Sequence, residues 1–271
     1  MTDSVNLSGA VRGNLLSLQQ TNGLAQRTDN RLSSGLRVRD PLDGAADFFA
    51  SRALSDRAQD LTQTKDGVDQ ALSTIQAASN GLDAISDLAQ QAEGLARAAQ
   101  NTNDPTQRAA LASQFNELRS QIDSLAQDAS FGGTNLIQGG PDNLDVSLNE
   151  DGSSSLTVQG ADSSSAGLGI SSTTFATDGD IDAALAETRA ALSTVRTNTA
   201  TLGSSSSALQ TRLDFTEDLT NTLEAGAASL TNADLTEEAA NRLSLQTRQQ
   251  IGVNATSLAA QSETAILGLF G

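Results

Sequence analysis

The sequence contains no histidine, cysteine, tryptophan or tyrosine among its 271 residues. Without cysteine there is no disulfide framework. The side chains that most often act as general bases or nucleophiles are also missing, which leaves carboxylates, hydroxyls and Lys65. Glu237 and Glu238 are adjacent on a predicted helix, so their carboxylates point in different directions and do not share a site. We therefore predict a protein that is not an enzyme, with no catalytic residues, no cofactor and no metal ion.

Basic residues are scarce as well. The chain has 16 Lys and Arg against 33 Asp and Glu, for a formal net charge of −17. Nucleic acids and anionic membranes repel such a chain, so neither is predicted as a partner. The alternating aspartates at 178–182 lack the ligand spacing and final glutamate of a calcium loop, and they are interpreted as acidic capping at the start of a helix.

Long apolar runs are absent from both ends of the chain. Met1–Gln20 has no basic cluster followed by an apolar run, so no Sec-type signal peptide is predicted. Gln261–Thr264 interrupt the apolar positions near the C-terminus well short of the ~20 residues that a membrane span requires. If the protein leaves the cell, we expect another export route.

Aromatic residues and prolines are few, with seven Phe and three Pro in the chain. A core must then be built from Leu, Ile, Val and Ala, whose small side chains suit helices packed closely side by side. The predicted fold class is all-α dominated: an elongated antiparallel helical bundle or coiled coil with one small β-hairpin region.

Heptad spacing marks both ends of the chain. Near the N-terminus, the positions separated by steps of four and three are Val11, Leu15, Leu18, Asn22, Ala25, Asp29, Leu32 and Leu36. Near the C-terminus they are Ile251, Ala255, Leu258, Ser262, Ala265 and Leu269. Such spacing predicts a coiled-coil seam, and a lone helix of this kind is marginal in water. We therefore predict that the two terminal segments pair with each other, with the rest of the core supplied by other copies of the chain.

Polar residues interrupt the N-terminal seam at Asn22 and Asp29. They are either a polar break on a surface helix or buried positions that fix the register of a bundle, and the second interpretation is favoured. Gly35 and Pro41 then lie close together, which predicts that the helix ends or bends there.

Three further helices are predicted between the termini. One helical pattern runs from Phe48 to Leu95 and a second from Leu111 to Ala129, with a turn signal over Asn101–Pro105. Two long helices joined by a short turn pack antiparallel. A heptad frame then holds from Leu185 to Leu230, which at ~1.5 Å per residue predicts a helix of about 70 Å.

The stretch at 134–179 differs in kind. Apolar and polar residues alternate over Leu144–Leu148 and over Leu156–Val158, with Asn149–Gly152 between them, which predicts a β-hairpin. The order of segments predicts that this hairpin caps the far end of the rod from the termini. The serine and threonine clusters at 163–165 and 171–174 predict exposed loops, and these two clusters together with the one at 153–155 are the predicted O-glycan acceptors.

Motifs at opposite ends of the chain resemble one known family. The N-terminal motif is Arg31–Arg37, with the sequence Arg-Leu-Ser-Ser-Gly-Leu-Arg. The C-terminal motifs are Leu245–Gly252 and Gln261–Phe270. Phe131–Leu136 also resembles the turn that ends the family's N-terminal conserved part. On these residues the chain is similar to the bacterial flagellins, the subunits of the flagellar filament.

The resemblance implies a division of the chain into three parts. Residues 1–45 and 231–271 are expected to be the terminal helices that form the inner filament core. Residues 46–133 and 180–230 are expected to form a long-helix rod domain, and 134–179 a β-hairpin and outer loop region. Larger members insert outer domains in this last stretch, so the chain resembles a minimal flagellin of the kind found in alpha-class proteobacteria.

The resemblance also implies partners and a location. Copies of the chain polymerise into a helical filament, alone or with other flagellins, outside the cell. An export chaperone holds the C-terminal segment, the subunit leaves by type III export without cleavage, and hook-associated and cap proteins contact the assembly. The residues expected to carry subunit packing are Leu7, Val11, Leu15, Leu18, Leu32, Leu36, Ile251, Leu258, Ile266, Leu269 and Phe270.

Two alternatives remain open at this stage. The hook-filament junction protein shares the terminal pattern, although it usually carries a larger middle region. A cytoplasmic coiled-coil signalling or scaffold rod shares the Ala, Gln and Ser content at heptad spacing, although such a rod does not need the terminal motifs.

Overall fold

The computed structural model describes residues 9–267, and it describes side chains over the same range apart from residue 10 and residues 263–267. The elements are α1 (Gly9–Ser34), α2 (Pro41–Gln100), α3 (Pro105–Asp128), β1 (Leu144–Ser147), β2 (Ser155–Val158), α4 (Asp178–Thr231) and α5 (Leu235–Leu267). The predicted class, helical with one small hairpin, is confirmed. The chain divides into two compact units, here called the terminal unit (residues 1–56 and 223–271) and the central unit (residues 57–222).

The core of the central unit is built from aliphatic and alanine side chains, as the scarcity of aromatics predicts. Its largest fully buried residues include Ile75, Leu82 and Ile85 of α2, Phe115 and Ile122 of α3, and Ile181 and Leu209 of α4. Buried alanines of α2 let neighbouring helices approach closely; they are Ala78, Ala89, Ala92, Ala96 and Ala99. The heptad frame of α4 is confirmed, because Leu192, Val195 and Leu202 on that frame are buried in the same core.

The predicted turn between α2 and α3 is confirmed. Asp104 caps α3 by accepting a hydrogen bond from the Thr106 backbone N–H at 2.9 Å, and Pro105 occupies the first turn, where no N–H is needed. The two helices pack antiparallel: Leu95 of α2 and Leu118 of α3 line one groove, and Gly81, earlier in α2, lies against Ala129, just after α3. The start of α4 is capped by a reciprocal pair: the Thr177 hydroxyl accepts from the Asp180 N–H at 3.2 Å, and the Asp180 carboxylate accepts from the Thr177 N–H at 2.9 Å.

Gly81 lies at a close approach between α2 and the segment that follows α3. A Cβ on Gly81 would lie 2.7 Å from the Ala129 Cβ and 2.8 Å from the Ile137 Cδ1. By contrast, a Cβ on Gly67, in the same helix, would meet nothing within 4 Å. The two glycines therefore form a matched pair for a stability experiment.

We expect Gly81→Ala to destabilise the monomer by roughly 1–2 kcal/mol, because overpacking outweighs the gain in helix propensity. Gly67→Ala gains the propensity without the clash, so it should stabilise the monomer by up to about 1 kcal/mol. Urea unfolding followed by circular dichroism measures both. Effects of the same sign in the two variants would contradict this packing.

The predicted β-hairpin is confirmed. Its antiparallel strands pair Leu144 with Val158 and Val146 with Leu156. Gly152 in the connecting turn has φ +70°, a conformation that glycine adopts without strain. Val146 and Val158 are buried, so one face of the hairpin joins the core of the central unit.

The predicted position of the hairpin at the far end is wrong. Its turn lies beside the first residues of the central unit, where Arg57 Nε contacts Glu150 Oε1 at 2.6 Å and Arg212 Nη2 donates to the Leu148 carbonyl at 2.9 Å. The Glu150 backbone N–H and the Arg57 guanidinium both lower the pKa of the Glu150 carboxyl. Because α3 runs back along α2, the chain returns toward Arg57 before the strands form. The far end of the unit is the α2–α3 turn, where Arg108 pairs with Asp178 at 2.6 Å.

The predicted exposure of the serine cluster at 163–165 is also wrong. Ser163 and Ser165 are 0% and 1% exposed. Ser165 donates its backbone N–H and its hydroxyl to the Asp123 carboxylate at 2.8 and 2.9 Å, and the Asn198 amide donates to the Ser163 hydroxyl at 3.2 Å. These hydroxyls satisfy polar groups inside the unit, which excludes them as glycan acceptors in the folded chain. In the cluster at 171–174, Ser171, Ser172 and Thr174 are exposed as predicted.

Over residues 9–267, none of the helices has the length and hydropathy needed to cross a membrane. Within the same residues, no three acidic side chains are grouped closely enough to hold a metal ion.

Candidate assembly interface

The end of α1 is tied to the start of α5 by backbone hydrogen bonds. Gly35 ends α1 in the left-handed conformation, with φ +72°, and donates its N–H to the Arg31 carbonyl at 2.8 Å. Arg37 then donates its N–H to the Thr231 carbonyl at 2.7 Å, and Ala233 donates to the Gly35 carbonyl at 2.9 Å. The predicted break after the N-terminal helix is therefore confirmed. It sets α1 and α5 side by side in opposite directions.

Polar side chains connect the two helices at regular intervals. The Gln249 amide donates to Asn22 Oδ1 at 2.8 Å, and Arg242 forms an ion pair with Asp29. From the first contact to the second, the residue number rises by seven on α1 and falls by seven on α5. The contacts are thus one heptad apart in an antiparallel register. Asn22 and Asp29 each have a partner on α5, as register positions require, but the Asp29 side chain is 48% exposed, so the prediction that both positions are buried is wrong for Asp29.

A third contact lies nearer the α4–α5 connection. Arg31 Nη1 pairs with Glu238 Oε1 at 2.8 Å, and the Glu238 side chain is only 10% exposed. Glu237, its neighbour, is exposed to solvent, as expected for adjacent helical residues that point in different directions. The buried Glu238 carboxylate and the Arg31 guanidinium therefore hold the end of α1 against the start of α5.

The predicted seam of α1 does face α5. Val11 and Ala25 are buried, Leu18 and Leu32 are half-buried, and Leu15 is more exposed than the seam predicts. Leu18 packs over a glycine of α5, since a Cβ on Gly252 would lie 3.2 Å from its Cδ1. Leu36 follows the helix and forms an isolated β-bridge with Asn232.

The predicted seam of α5 lies on the wrong face for pairing with α1. The residues that face α1 follow steps of four and three, but they are mostly polar: Glu238, Arg242, Leu245, Gln249 and Gly252. A search for apolar residues alone misses this set. Complementarity is the signal that would find it: Asn22 and Asp29, the polar positions of the α1 seam, face an amide and an opposite charge at the matching positions of α5.

Two of the predicted positions, Ile251 and Leu258, lie on what we call the outer stripe of α5, together with Leu243, which was not predicted. They repeat at steps of eight and seven, which places them on one side of the helix. Ile251 is 62% exposed and Leu258 is 69% exposed. Leu7, Leu269 and Phe270 lie outside the described residues, and Ile266 lies in α5 at a position whose side chain is not described.

The arrangement of the terminal unit suits association. One face of α5 is filled by α1, and a second face presents large aliphatic side chains to water. Burying one such side chain contributes roughly 1.5–3 kcal/mol. Exposed apolar rows of this kind mark surfaces that bind another molecule.

Known families match both parts of the chain. Residues 5–141 match the bacterial flagellin N-terminal helical region, and residues 185–270 match the bacterial flagellin C-terminal helical region. Flagellin FljK of Caulobacter vibrioides is 35% identical over 270 residues, which cover 99% of this chain and 98% of that protein. A flagellin of Brucella melitensis is 29% identical over 278 residues, covering 94% of this chain and 95% of its own length.

The fold also has a counterpart among solved structures. Bacillus cereus flagellin aligns with a TM-score of 0.50 and 20% identity, over 55% of this chain and 88% of that one. At this identity the likeness concerns the fold alone. The full-length match to a relative of the same size means that the chain carries no large outer domain. With both helical regions matched in order, the chain belongs to the bacterial flagellin family, whose members are structural subunits, not enzymes, that self-assemble into the extracellular flagellar filament.

Proposed function

We propose that the terminal unit is the element through which this subunit polymerises, and that the outer stripe of α5 is buried against neighbouring copies in the filament. The exposed Ile251 and Leu258 carry the proposal, because the other face of their helix is already occupied by α1. Among the residues that the structure describes, none covers these side chains, and we infer that a second copy does. Leu7, Val11, Leu15, Leu18, Leu32, Leu36, Ile266, Leu269 and Phe270 complete the packing set that we propose.

The three-part division follows from the same argument. Residues 1–45 and 231–271 form the inner filament core, 46–133 and 180–230 form the rod around it, and 134–179 form the hairpin and outer loop region. Support comes from the contrast between the units: the central unit has a continuous buried core of its own, whereas α5 leaves an apolar row uncovered. Holding each terminal residue in one conformation costs about 1–2 kcal/mol, which burial against neighbours must offset at the growing tip.

Before assembly the outer stripe needs another cover, because an exposed apolar row promotes aggregation. We propose an export chaperone that holds the C-terminal segment in the cytoplasm, followed by type III export without a cleaved signal peptide. Hook-associated and cap proteins would then contact the same terminal helices at the two ends of the filament.

The experiment is seeded polymerisation of a trimmed chain. A fragment spanning residues 41–231 keeps the whole central unit and loses α1 and α5. We expect it to remain helical by circular dichroism and to add nothing to filament seeds, as judged by electron microscopy. Filaments grown from this fragment would show that polymerisation does not depend on the terminal helices.

Two other functions are less well supported. A hook-filament junction protein would form a short ring, and electron microscopy of the full chain on seeds distinguishes that from a long filament. A cytoplasmic signalling rod does not account for the match of both flagellin helical regions in order.

A further inference from the structure

A small cavity in the terminal unit gathers basic side chains, although the chain as a whole is strongly acidic. It has a volume of about 110 Å³, and its lining includes Arg27 and Arg31 of α1, Arg39, and Asp43 of α2. Three of the chain's 16 basic residues therefore line the same cavity. Its size suits a single carboxylate-sized group.

The guanidinium groups around this cavity have few partners. Each arginine carries five N–H donors, yet among the described residues only one side-chain hydrogen bond leaves the three of them, from Arg31 to Glu238 at 2.8 Å. Arg39 Nη2 lies 3.9 Å from Asp40 Oδ2, and both side chains are substantially exposed, so this ion pair is weak. Over residues 9–267, Arg27 has no hydrogen-bond or ion-pair partner at all.

The acidic groups at the site do not fill this deficit. The Asp43 carboxylate accepts a hydrogen bond from the Arg39 backbone N–H at 3.2 Å, and that contact uses no guanidinium donor. The Glu238 carboxylate is bound by Arg31 and by no other side chain in the part of the chain that the structure describes. The cavity therefore presents several unused donors in a fork geometry that fits a planar pair of oxygen atoms.

We propose that this cavity binds an Asp or Glu carboxylate of a neighbouring copy of the chain in the filament, with Arg27 as the main donor. The inference rests on the proposed filament assembly, which brings copies into contact. Charge complementarity identifies the occupant: each copy carries 33 Asp and Glu and a net charge of −17, so a second copy is itself the acidic ligand. The contact offsets part of the repulsion between subunits that carry the same charge.

Carbodiimide cross-linking of Arg27→Lys filaments tests the contact directly. The chain has a single lysine, Lys65, so an amine at position 27 is easy to follow. The reagent joins the lysine amine to a carboxylate as an amide, and the water lost is taken up by the carbodiimide, which becomes a urea. Filaments grown from a mixture of ¹⁴N and ¹⁵N subunits distinguish links between chains from links within one.

We expect peptides in which Lys at position 27 is linked to an acidic residue of the other isotope, and mass spectrometry identifies that residue. The native Lys65–Glu217 pair, at 3.2 Å within one chain, is the internal control for the reaction. If the control link forms while position 27 links only within its own chain or not at all, the proposal is overturned.

A matched pair of neutralised arginines gives a second test. Arg27→Gln should raise the critical concentration for seeded growth by roughly tenfold, as loss of a charge-assisted contact predicts. Arg196 is another exposed arginine that has no partner among the described residues. Arg196→Gln removes the same charge and should change the critical concentration for seeded growth by less than about twofold. Equal effects of the two variants would overturn the proposal.

A free anion is the competing occupant. Calorimetry measures the binding of inorganic phosphate to the soluble monomer, and the natural chain is compared with Arg27→Gln. Phosphate binding that depends on Arg27, together with unchanged assembly of Arg27→Gln, would identify a small-anion site and overturn the contact between copies. If Leu258→Asp abolishes growth while Arg27→Gln does not alter it, the terminal-unit proposal stands and only this inference falls.

Discussion

Leu258→Asp should abolish filament growth and leave the soluble subunit folded. Leu258 lies on the outer stripe, 69% exposed in the single chain, on the side of α5 that α1 does not cover. In the filament its burial would contribute roughly 1.5–3 kcal/mol. An aspartate there loses that contribution and adds the desolvation of an unpaired charge, which is larger still. The measurement is elongation of filament seeds, followed by electron microscopy and by sedimentation.

The matched control is Leu258→Met, which keeps the volume and the apolar character of the side chain. Such a change costs less than about 1.5 kcal/mol in a packed interface, so growth should continue at a moderately higher critical concentration. Unfolding of the central unit should be the same in both variants, because position 258 lies outside it. Normal filaments from Leu258→Asp would mean that the outer stripe is not an intersubunit surface.

Glu238→Ala should weaken the filament almost as strongly, by a different mechanism. The substitution removes the partner of Arg31 and leaves its guanidinium without an anion beside a buried position. Breaking a fully buried pair costs about 3–5 kcal/mol, and since Arg31 is 35% exposed we expect roughly 1–3 kcal/mol. That corresponds to an increase of about 5- to 150-fold in the critical concentration for assembly.

Two controls separate the ion pair from a general loss of charge. Glu237→Ala removes the exposed neighbouring carboxylate and should change assembly by less than about 1 kcal/mol. Replacing both partners with apolar residues of similar size, as in Arg31→Met with Glu238→Leu, should restore much of the loss, because no charge is left unpaired. Hydrogen exchange of α1 amides in the filament reports whether the helix pair has opened. Equal effects of Glu237→Ala and Glu238→Ala would contradict a role for the buried pair.

Local signals account for most of the secondary structure that was predicted correctly. Asp104 and Pro105 start a helix because a carboxylate can cap free N–H groups and proline lacks one. Gly35 ends α1 because glycine adopts positive φ without strain. The hairpin follows from alternation on either side of a glycine-containing turn. Each of these preferences acts over a few residues and is therefore visible in the sequence.

Long-range contacts decided what was predicted incorrectly. The serines at 163–165 have the composition of a surface loop, but Ser165 is buried because Asp123, about forty residues earlier, needs hydrogen-bond donors. The hairpin lies beside Arg57 and Arg212 because α3 carries the chain back along α2 before the strands begin. The sequence around the serines does not identify Asp123 as their partner, and the sequence around the hairpin does not identify Arg57 or Arg212.

For the terminal helices, some features were predictable from the sequence and others were not. The sequence by itself determined that both ends are helical, that α1 carries a seam with polar residues in register, and that the motifs are those of flagellins. Only the tertiary structure decided which face of α5 meets α1, because that face is polar and is recognised by its complementarity to Asn22 and Asp29. Hydrophobic periodicity identifies a face that must be buried, but it does not say which molecule buries it. For Ile251 and Leu258, the face left open by α1 points to a second copy of the chain.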